Sequence, residues 1–385
     1  MVQAQPTVKV GISGSYGGLN LGDEAILQAI IAQLRRALTV EITVFSRDAE
    51  DTRRRHRVEH AVPAREMSRR EAMEIVRGLD LLILGGGGIL YDAEAETYLR
   101  EVNLAHEAGT PVMVYAVSGG PLTEQGIRRK VRDALNQAAV ISVRDRHSLQ
   151  LFEEIGVTRD IHLTADPAVL SEPEPLSDDE VMRFEAFDPQ ARLIGLSVRE
   201  LGPAAPDLDV EHYHRLVANA ADFLVDRLDA EVVFFPLERR RFDVQHSHGV
   251  VARMSHAQRA SVLRRDYTPG QLISLLTRFQ FAVGMRLHFL VFAALAGIPM
   301  VGLPYATKVT GFLEGLRIEA IGLGHVSAGQ LIARIDRAWS MREELSARIR
   351  EALAELKPRA LENNELAVGL LKNKLKAGKM KVDGS

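Results

Sequence analysis

In the stretch FAVGMRLHFLVFAALAGIPMVGLPYATKV, Arg286 and His288 stand between an apolar run that closes at Gly284 and a second one from Phe289 to Ala296. Two residues apart, they can aim at one point if the turn is still extended, and the helix that begins there adds its amide dipoles. Lys308 follows just past the next apolar run, Met300–Leu303, and Arg144 in ISVRDRHS closes a similar run in the first half of the chain. Arginine offers a planar fork to a carboxylate or phosphate, lysine a point charge, and histidine a proton near neutral pH. Together they suit a small substrate that carries both anionic groups. Taken singly, each cation could equally be a surface charge or close a helix-terminal salt bridge.

Three glycine corners accompany them. GISGSYGGLNLGDEAIL follows the first apolar run and offers Gly17 where the backbone must turn, with Asn20 or Asp23 to cap the next helix. LLILGGGGILYD reads as a strand followed by a loop, in which Gly86 and Gly87 admit a close approach by a ligand or by another chain segment. Ser118–Pro121 forms the third corner. None of them spells GxGxxG or a Walker A loop, so no dinucleotide or nucleoside-triphosphate fingerprint is present. Asp23, Glu24, Asp92 and Asp166 read as bases or caps, and no GxSxG elbow argues for a serine hydrolase. His246 and His248 in QHSHG read as a solvated loop rather than a metal site, and no metal is expected.

These residues need strands and helices to hold them. Short apolar runs at Val8–Ile12, Glu41–Phe45, Leu79–Leu84, Pro111–Val117 and Val140–Val143 alternate with helical patterns, such as Ile26, Ile30, Leu34 and Leu38 at four-residue spacing. That alternation predicts βαβ units around a parallel sheet. After the linker-like SEPEPLSDD, a second alternation begins: strands Leu193–Val198, Glu231–Pro236, Phe281–Val283 and Met300–Leu303, with helices His212–Leu228, Gly270–Phe279 and Phe289–Ala296. The expected fold class is α/β, with two Rossmann-like domains whose parallel sheets face a central cleft. The expected domains are residues 1–172, residues 190–326, and C-terminal helices with a basic tail over 327–385. Leu331, Ile335 and Trp339, then Leu345, Ile349 and Leu353, predict one or two helices that Pro358 breaks. The tail KNKLKAGKMKVDGS reads as frayed.

Composition narrows the partners. The 48 basic and 51 acidic residues of the 385 give a net charge of −3, which does not advertise nucleic acid or an anionic membrane. With 46% apolar residues, a packed core is within reach. The absence of cysteine excludes disulfides and thiolate chemistry. MVQAQPTVKV lacks the pattern of a leader and no run of about 18 apolar residues occurs, so a cytoplasmic protein without stable membrane insertion is expected.

The blocks GSYGGLNLGDEAIL, LLILGGGGILYD, SVRDRHS and GMRLHFLVFAALAGIPMVGLPYATKV occur in this order across most of the chain and resemble the polysaccharide pyruvyl transferases. FFPLERRRFD, from Phe234, resembles that family's second-domain strand and loop. The resemblance implies a GT-B-like arrangement of two Rossmann-like domains, phosphoenolpyruvate as donor, and transfer of its pyruvyl unit to a sugar as a ketal. It implies no cofactor beyond that co-substrate, and a saccharide or lipid-linked saccharide acceptor. The family's functional arginine falls on Arg144, its Arg-Leu-His motif on Arg286, Leu287 and His288, and its lysine on Lys308. On this reading His288 and Lys308 handle protons. Arg144, Arg286, Leu287 and Gly284 hold the donor, while Gly17, Asn20, Asp23, Gly86 and Gly87 line the acceptor side. A nucleotide-sugar glycosyltransferase and a silent metabolite-binding homologue are the alternatives, and a homo-oligomer is compatible with either.

Overall fold

The computed structural model describes residues 7–185, 188, 190–201, 209–238 and 242–382. The start of the chain, through residue 6, and Arg239–Arg241 of the FFPLERRRFD block lie outside these. The chain divides into two compact units, one of residues 1–18, 23–170 and 357–385, the other of residues 19–22 and 171–356. The block expected at 327–385 is therefore shared between the two.

The first unit is built on seven parallel strands: β1 (Val8–Ser13), β2 (Val40–Ser46), β3 (His60–Pro63), β4 (Leu81–Leu90), β5 (Val112–Gly119), β6 (Val140–Val143) and β7 (Ile161–Leu163), in the order β3-β2-β1-β4-β5-β6-β7. The order reverses between β1 and β4, the switch point where open α/β sheets bind ligands outside the carboxyl ends of their strands. Val10, Ile12, Leu81, Leu82, Ile83 and Leu84 are all fully buried, as expected for strands covered on both faces. The short edge strands β3 and β7 escape the sequence pattern because they are only partly buried and carry no apolar run.

The glycine run is a correction. It is no loop: β4 continues through it, with Gly85 opposite Tyr115 and Gly87 opposite Val117 on β5. Its glycines make room for the chain itself. A Cβ on Gly85 would stand 2.1 Å from the Tyr16 hydroxyl, and one on Gly86 would stand 2.9 Å from Ile26 Cγ2.

The second unit has a five-stranded parallel sheet of β8 (Arg192–Ser197), β9 (Ala230–Phe234), β10 (Ala260–Val262), β11 (Phe281–Gly284) and β12 (Met300–Gly302), in the order β10-β9-β8-β11-β12. Its switch point lies between β8 and β11. Helix Val210–Leu228 buries Tyr213, Leu216, Val217, Ala220, Ala221 and Leu224 against one face of the sheet, together with Leu331 and Ile335 of helix Ala328–Ser340.

Two further expectations change. QHSHG lies in helix Phe242–Val251 rather than in a loop, with His248 exposed and His246 partly buried. Pro358 does not end its helix, which runs from Arg342 to Val382 and takes in most of the tail read as frayed. Contacts beyond the proline hold it. Asn363, fully buried, accepts hydrogen bonds from Ser142 Oγ at 2.6 Å and Thr164 Oγ1 at 2.8 Å. Arg359 donates to the Thr164 carbonyl at 2.7 Å, and Ala360, Ala367 and Leu371 are buried. Such anchoring outweighs the roughly 3 kcal/mol that an interior proline costs.

Candidate active site

Three adjacent strands of the second sheet each end in a basic residue. Arg199 follows β8 by two residues, Arg286 follows β11 by two, and Lys308 follows β12 on the first turn of helix Thr307–Gly315. Arg199 and Arg286 thus come from the two strands that flank the switch point. Arg286 and His288 sit at the start of helix Leu287–Leu295, whose amides add partial positive charge, and both are buried.

Arg286 already has a partner. Its Nε donates to Asp243 Oδ2 at 2.8 Å, one Nη donates to Asp243 Oδ1, and the same Nη reaches Glu238 at 3.3 Å. Asp243 is fully buried and also accepts the amides of Leu237 at 3.1 Å and Glu238 at 3.0 Å. Burial opposes the Arg286 charge, but Asp243 outweighs it, so the guanidinium is held protonated more firmly than usual. An ion pair with an acceptor-saturated carboxylate fixes the plane of the arginine fork.

Tyr305, between β12 and Lys308, is the residue whose chemistry the sequence did not announce. The Arg199 guanidinium lies 4.3 Å from its ring centroid and donates to its hydroxyl, and Lys308 Nζ lies 5.8 Å from the same ring. Burial raises the phenol pKa, but Lys308, Arg199 and Arg286 together outweigh it and hold the group down at about 8. A phenol so placed reports a concentration of positive charge that suits an anion.

His288 meets an unexpected neighbour. Residues 19–22, which belong to this unit, run antiparallel past Glu238, and Leu21 N donates to Leu237 O at 3.0 Å. Asn20 caps the helix that follows, accepting from Gly22 N at 3.1 Å. Gly22 then lies directly on the imidazole: a Cβ there would stand 1.9 Å from His288 Nδ1. Leu287 is buried beside it, and Gly284 is glycine because a Cβ would meet Phe289 at 2.6 Å.

Behind Arg199, Tyr213 donates its hydroxyl to the Arg199 carbonyl at 2.9 Å and meets His246 Nδ1 at 2.7 Å. His214 Nε2 lies 3.0 Å from the same hydroxyl and 2.9 Å from His246 Nδ1. Burial, then the neighbouring His246, hold the His214 imidazole down at about 4, and His246 is lowered as well. With a depressed folded-state pKa, His214 stays neutral while its unfolded counterpart takes a proton below about pH 6.5. Stability is therefore complete above that value and falls as pH drops toward 4. Urea unfolding at about pH 7 and about pH 5 should differ by on the order of 2 kcal/mol, and His214→Gln should flatten the difference. An unchanged slope in the variant would remove His214 as its source.

In the first unit Arg144 is also committed. Its Nη1 pairs with Asp166 at 2.6 Å, its Nε donates to Ser118 Oγ at 2.6 Å, and Ser118 donates to Asp145, also at 2.6 Å. Gly17 adopts φ +69°, packs where a Cβ would meet Ser46 Oγ at 2.2 Å, and donates its amide to Glu24 at 2.9 Å. Asp23 lies in the first turn of helix Leu21–Ala37, and a Cβ on Gly87 would meet its Oδ1 at 3.5 Å. Among the described residues no group of three or more His, Asp or Glu side chains could hold a metal ion, and no helix is long and apolar enough to cross a membrane.

Two parallel α/β sheets with alternating helices define the fold class shared by GT-B glycosyltransferases and sugar-nucleotide epimerases. The UDP-GlcNAc 2-epimerase of Neisseria meningitidis bound to UDP-GlcNAc is similar over 96% of this chain and 100% of its own, with a TM-score of 0.59 and 11% identity. Alr3699/HepE of Anabaena, in complex with UDP and glucose, is similar over 95% of this chain and 100% of its own, with a TM-score of 0.62 and 12% identity. The chain belongs to the polysaccharide pyruvyl transferase family, whose model matches residues 20–307. The amylovoran biosynthesis protein AmsJ of Erwinia amylovora is 21% identical over 288 residues, 72% of this chain and 69% of its own. Membership sets the protein among transferases of polysaccharide biosynthesis.

Proposed function

We propose that the protein transfers the pyruvyl group of phosphoenolpyruvate to two hydroxyls of one sugar as a ketal, releasing phosphate. The observation that carries this reading is the meeting of Arg199, Arg286 and Lys308 around Tyr305, with His288 two residues past Arg286 at the start of the same helix. A carboxylate and a phosphate on a three-carbon skeleton need several cations close together. Arg199 and Lys308 bind these groups, while Arg286, oriented by Asp243, contributes directed hydrogen bonding and field. Each charge-assisted hydrogen bond contributes roughly 1.5 to 3 kcal/mol, so two or three give useful affinity.

The atoms balance as follows. The methylene carbon of the donor gains one proton and becomes the ketal methyl. The central carbon forms two C–O bonds to sugar oxygens, and its bond to the phosphate oxygen breaks. Of the two hydroxyl protons lost, one is matched by the proton on the methyl and the other leaves with phosphate. His288 transfers protons at the donor, and Lys308 with Tyr305 neutralises the departing phosphate. Much of the acceleration comes from orienting two hydroxyls against one carbon. A reaction of this kind belongs in the cytoplasm, where phosphoenolpyruvate is made, with a visit to the membrane face if the acceptor is lipid-linked.

Phosphate release from phosphoenolpyruvate, followed with a panel of glycoside acceptors and mass detection of the ketal, tests this directly. His288→Ala should lower the rate by about 10² to 10⁴. The UDP ligands of the two structural relatives name the rival, a nucleotide-sugar transferase. Turnover of a UDP-sugar, with no phosphate release from phosphoenolpyruvate, would replace the pyruvyl reading by that one.

A further inference from the structure

The first unit holds a cavity of its own, of about 630 Å³, within the range of small-molecule sites. It opens over the carboxyl ends of β1, β2 and β3 and is walled by helix Ala95–Ala108. Ser13, Arg47 and Arg65 come from the strand ends, and Tyr98, Arg100 and Glu101 from the helix.

Its charges cancel locally. Three arginines and three glutamates line it: Arg65 pairs with Glu94 at 3.1 Å, Arg47 with Glu94 at 3.6 Å and Arg100 with Glu101 at 3.5 Å, while Glu96 pairs with Lys130 outside the lining. Arg100 also donates to the Met67 carbonyl at 2.6 Å, and Arg47 to the Tyr98 hydroxyl. An anion would find these cations already answered. A neutral polyol would find donors and acceptors alternating around the wall, with the Tyr98 ring and Phe45 as apolar surface for its C–H faces.

Two atoms strengthen the case. The Nε of Arg47 is buried and has no hydrogen-bond partner among the described residues, a donor that a ligand oxygen would satisfy. Glu101 is buried, burial raises its carboxyl pKa above the ordinary value, and it accepts from Ser13 Oγ at 3.3 Å.

We propose that this cavity binds a neutral sugar ring and is the docking site of the acceptor saccharide. The second half of the statement rests on the pyruvyl-transfer reading, and the first does not. Saturation-transfer NMR with the methyl glycosides of glucose, galactose and N-acetylmannosamine tests it on the full chain. Thr97 lines the mouth and is exposed, so Thr97→Trp fills the cavity without touching the core. At least one glycoside should bind the wild type and Lys308→Ala alike, and lose at least tenfold in affinity in Thr97→Trp. Glu101→Gln, nearly isosteric, should weaken the same glycoside and so guards against a poorly folding tryptophan variant. Glycoside binding unchanged in both variants, or no glycoside bound while inorganic phosphate is displaced by Thr97→Trp, overturns the proposal. Phosphoenolpyruvate binding is measured on the same samples. Glycoside binding without it keeps the cavity and removes the pyruvyl reading, and phosphoenolpyruvate binding without any glycoside does the reverse.

Discussion

Asp243→Asn should lose about 3 to 5 kcal/mol of stability, far more than most polar-to-polar changes, because it breaks a buried ion pair from one side. The carboxylate is fully buried and answers Arg286 twice and the amides of Leu237 and Glu238 once each. Asparagine keeps one acceptor oxygen but brings an NH₂ group toward the guanidinium or the amides. Arg286 is left with Glu238 at 3.3 Å, whose side chain is partly exposed. The control is Glu211→Gln, which opens an exposed pair with Arg253 and should change stability by no more than about 1 kcal/mol. Urea denaturation of the two variants decides the matter. A loss below about 1 kcal/mol for Asp243→Asn would mean that Arg286 does not depend on this carboxylate for its charge.

Gly22→Ala should lower phosphate release from phosphoenolpyruvate by about a hundredfold while the protein remains folded. The alanine methyl would stand 1.9 Å from His288 Nδ1 and 2.8 Å from its Cβ, far inside van der Waals contact. Either the imidazole turns away or the 19–22 segment lifts from it; each undoes the packing that holds the ring, and a shift of about an ångström at the nitrogen proposed to transfer protons is enough for a loss of this size. The effect should fall mainly on kcat, since Arg199 and Lys308, proposed to hold the donor, are untouched. If Gly22→Ala retained full activity, His288 would not be required in the position the structure gives it.

Much of the fold is legible in the sequence. The alternation of apolar runs located the central strands of both sheets to within a few residues, because strands covered on both faces must be apolar throughout. The edge strands β3, β7 and β10 carry no such requirement and left no run to read. Arg286, His288 and Lys308 stand out in the sequence because each interrupts or closes an apolar stretch. Arg199 stands at the same two-residue offset from β8 as Arg286 does from β11, so the sequence carries the same signal there. Tyr305 gave none, since an aromatic in GLPYATK looks like core until Arg199 and Lys308 are seen against its ring. The glycines of β4 read as a loop because composition cannot tell a turn from a strand that must admit Tyr16 and Ile26. Asp243 and Gly22 depend on contacts between segments far apart in the chain, which no local pattern encodes.

The long C-terminal helix reverses the order of synthesis and completion. Residues 1–170 contain all seven strands of the first sheet, yet the buried carboxamide oxygen that accepts from both Ser142 and Thr164 belongs to Asn363, 221 and 199 residues further along the chain. Until that part of the chain is made, the surface later covered by Ala360, Ala367 and Leu371 faces water or a chaperone. The second unit, whose residues 19–22 are already made, is complete once residue 356 is made and can settle before its elder neighbour. The half of the protein that is born first is the half that finishes last.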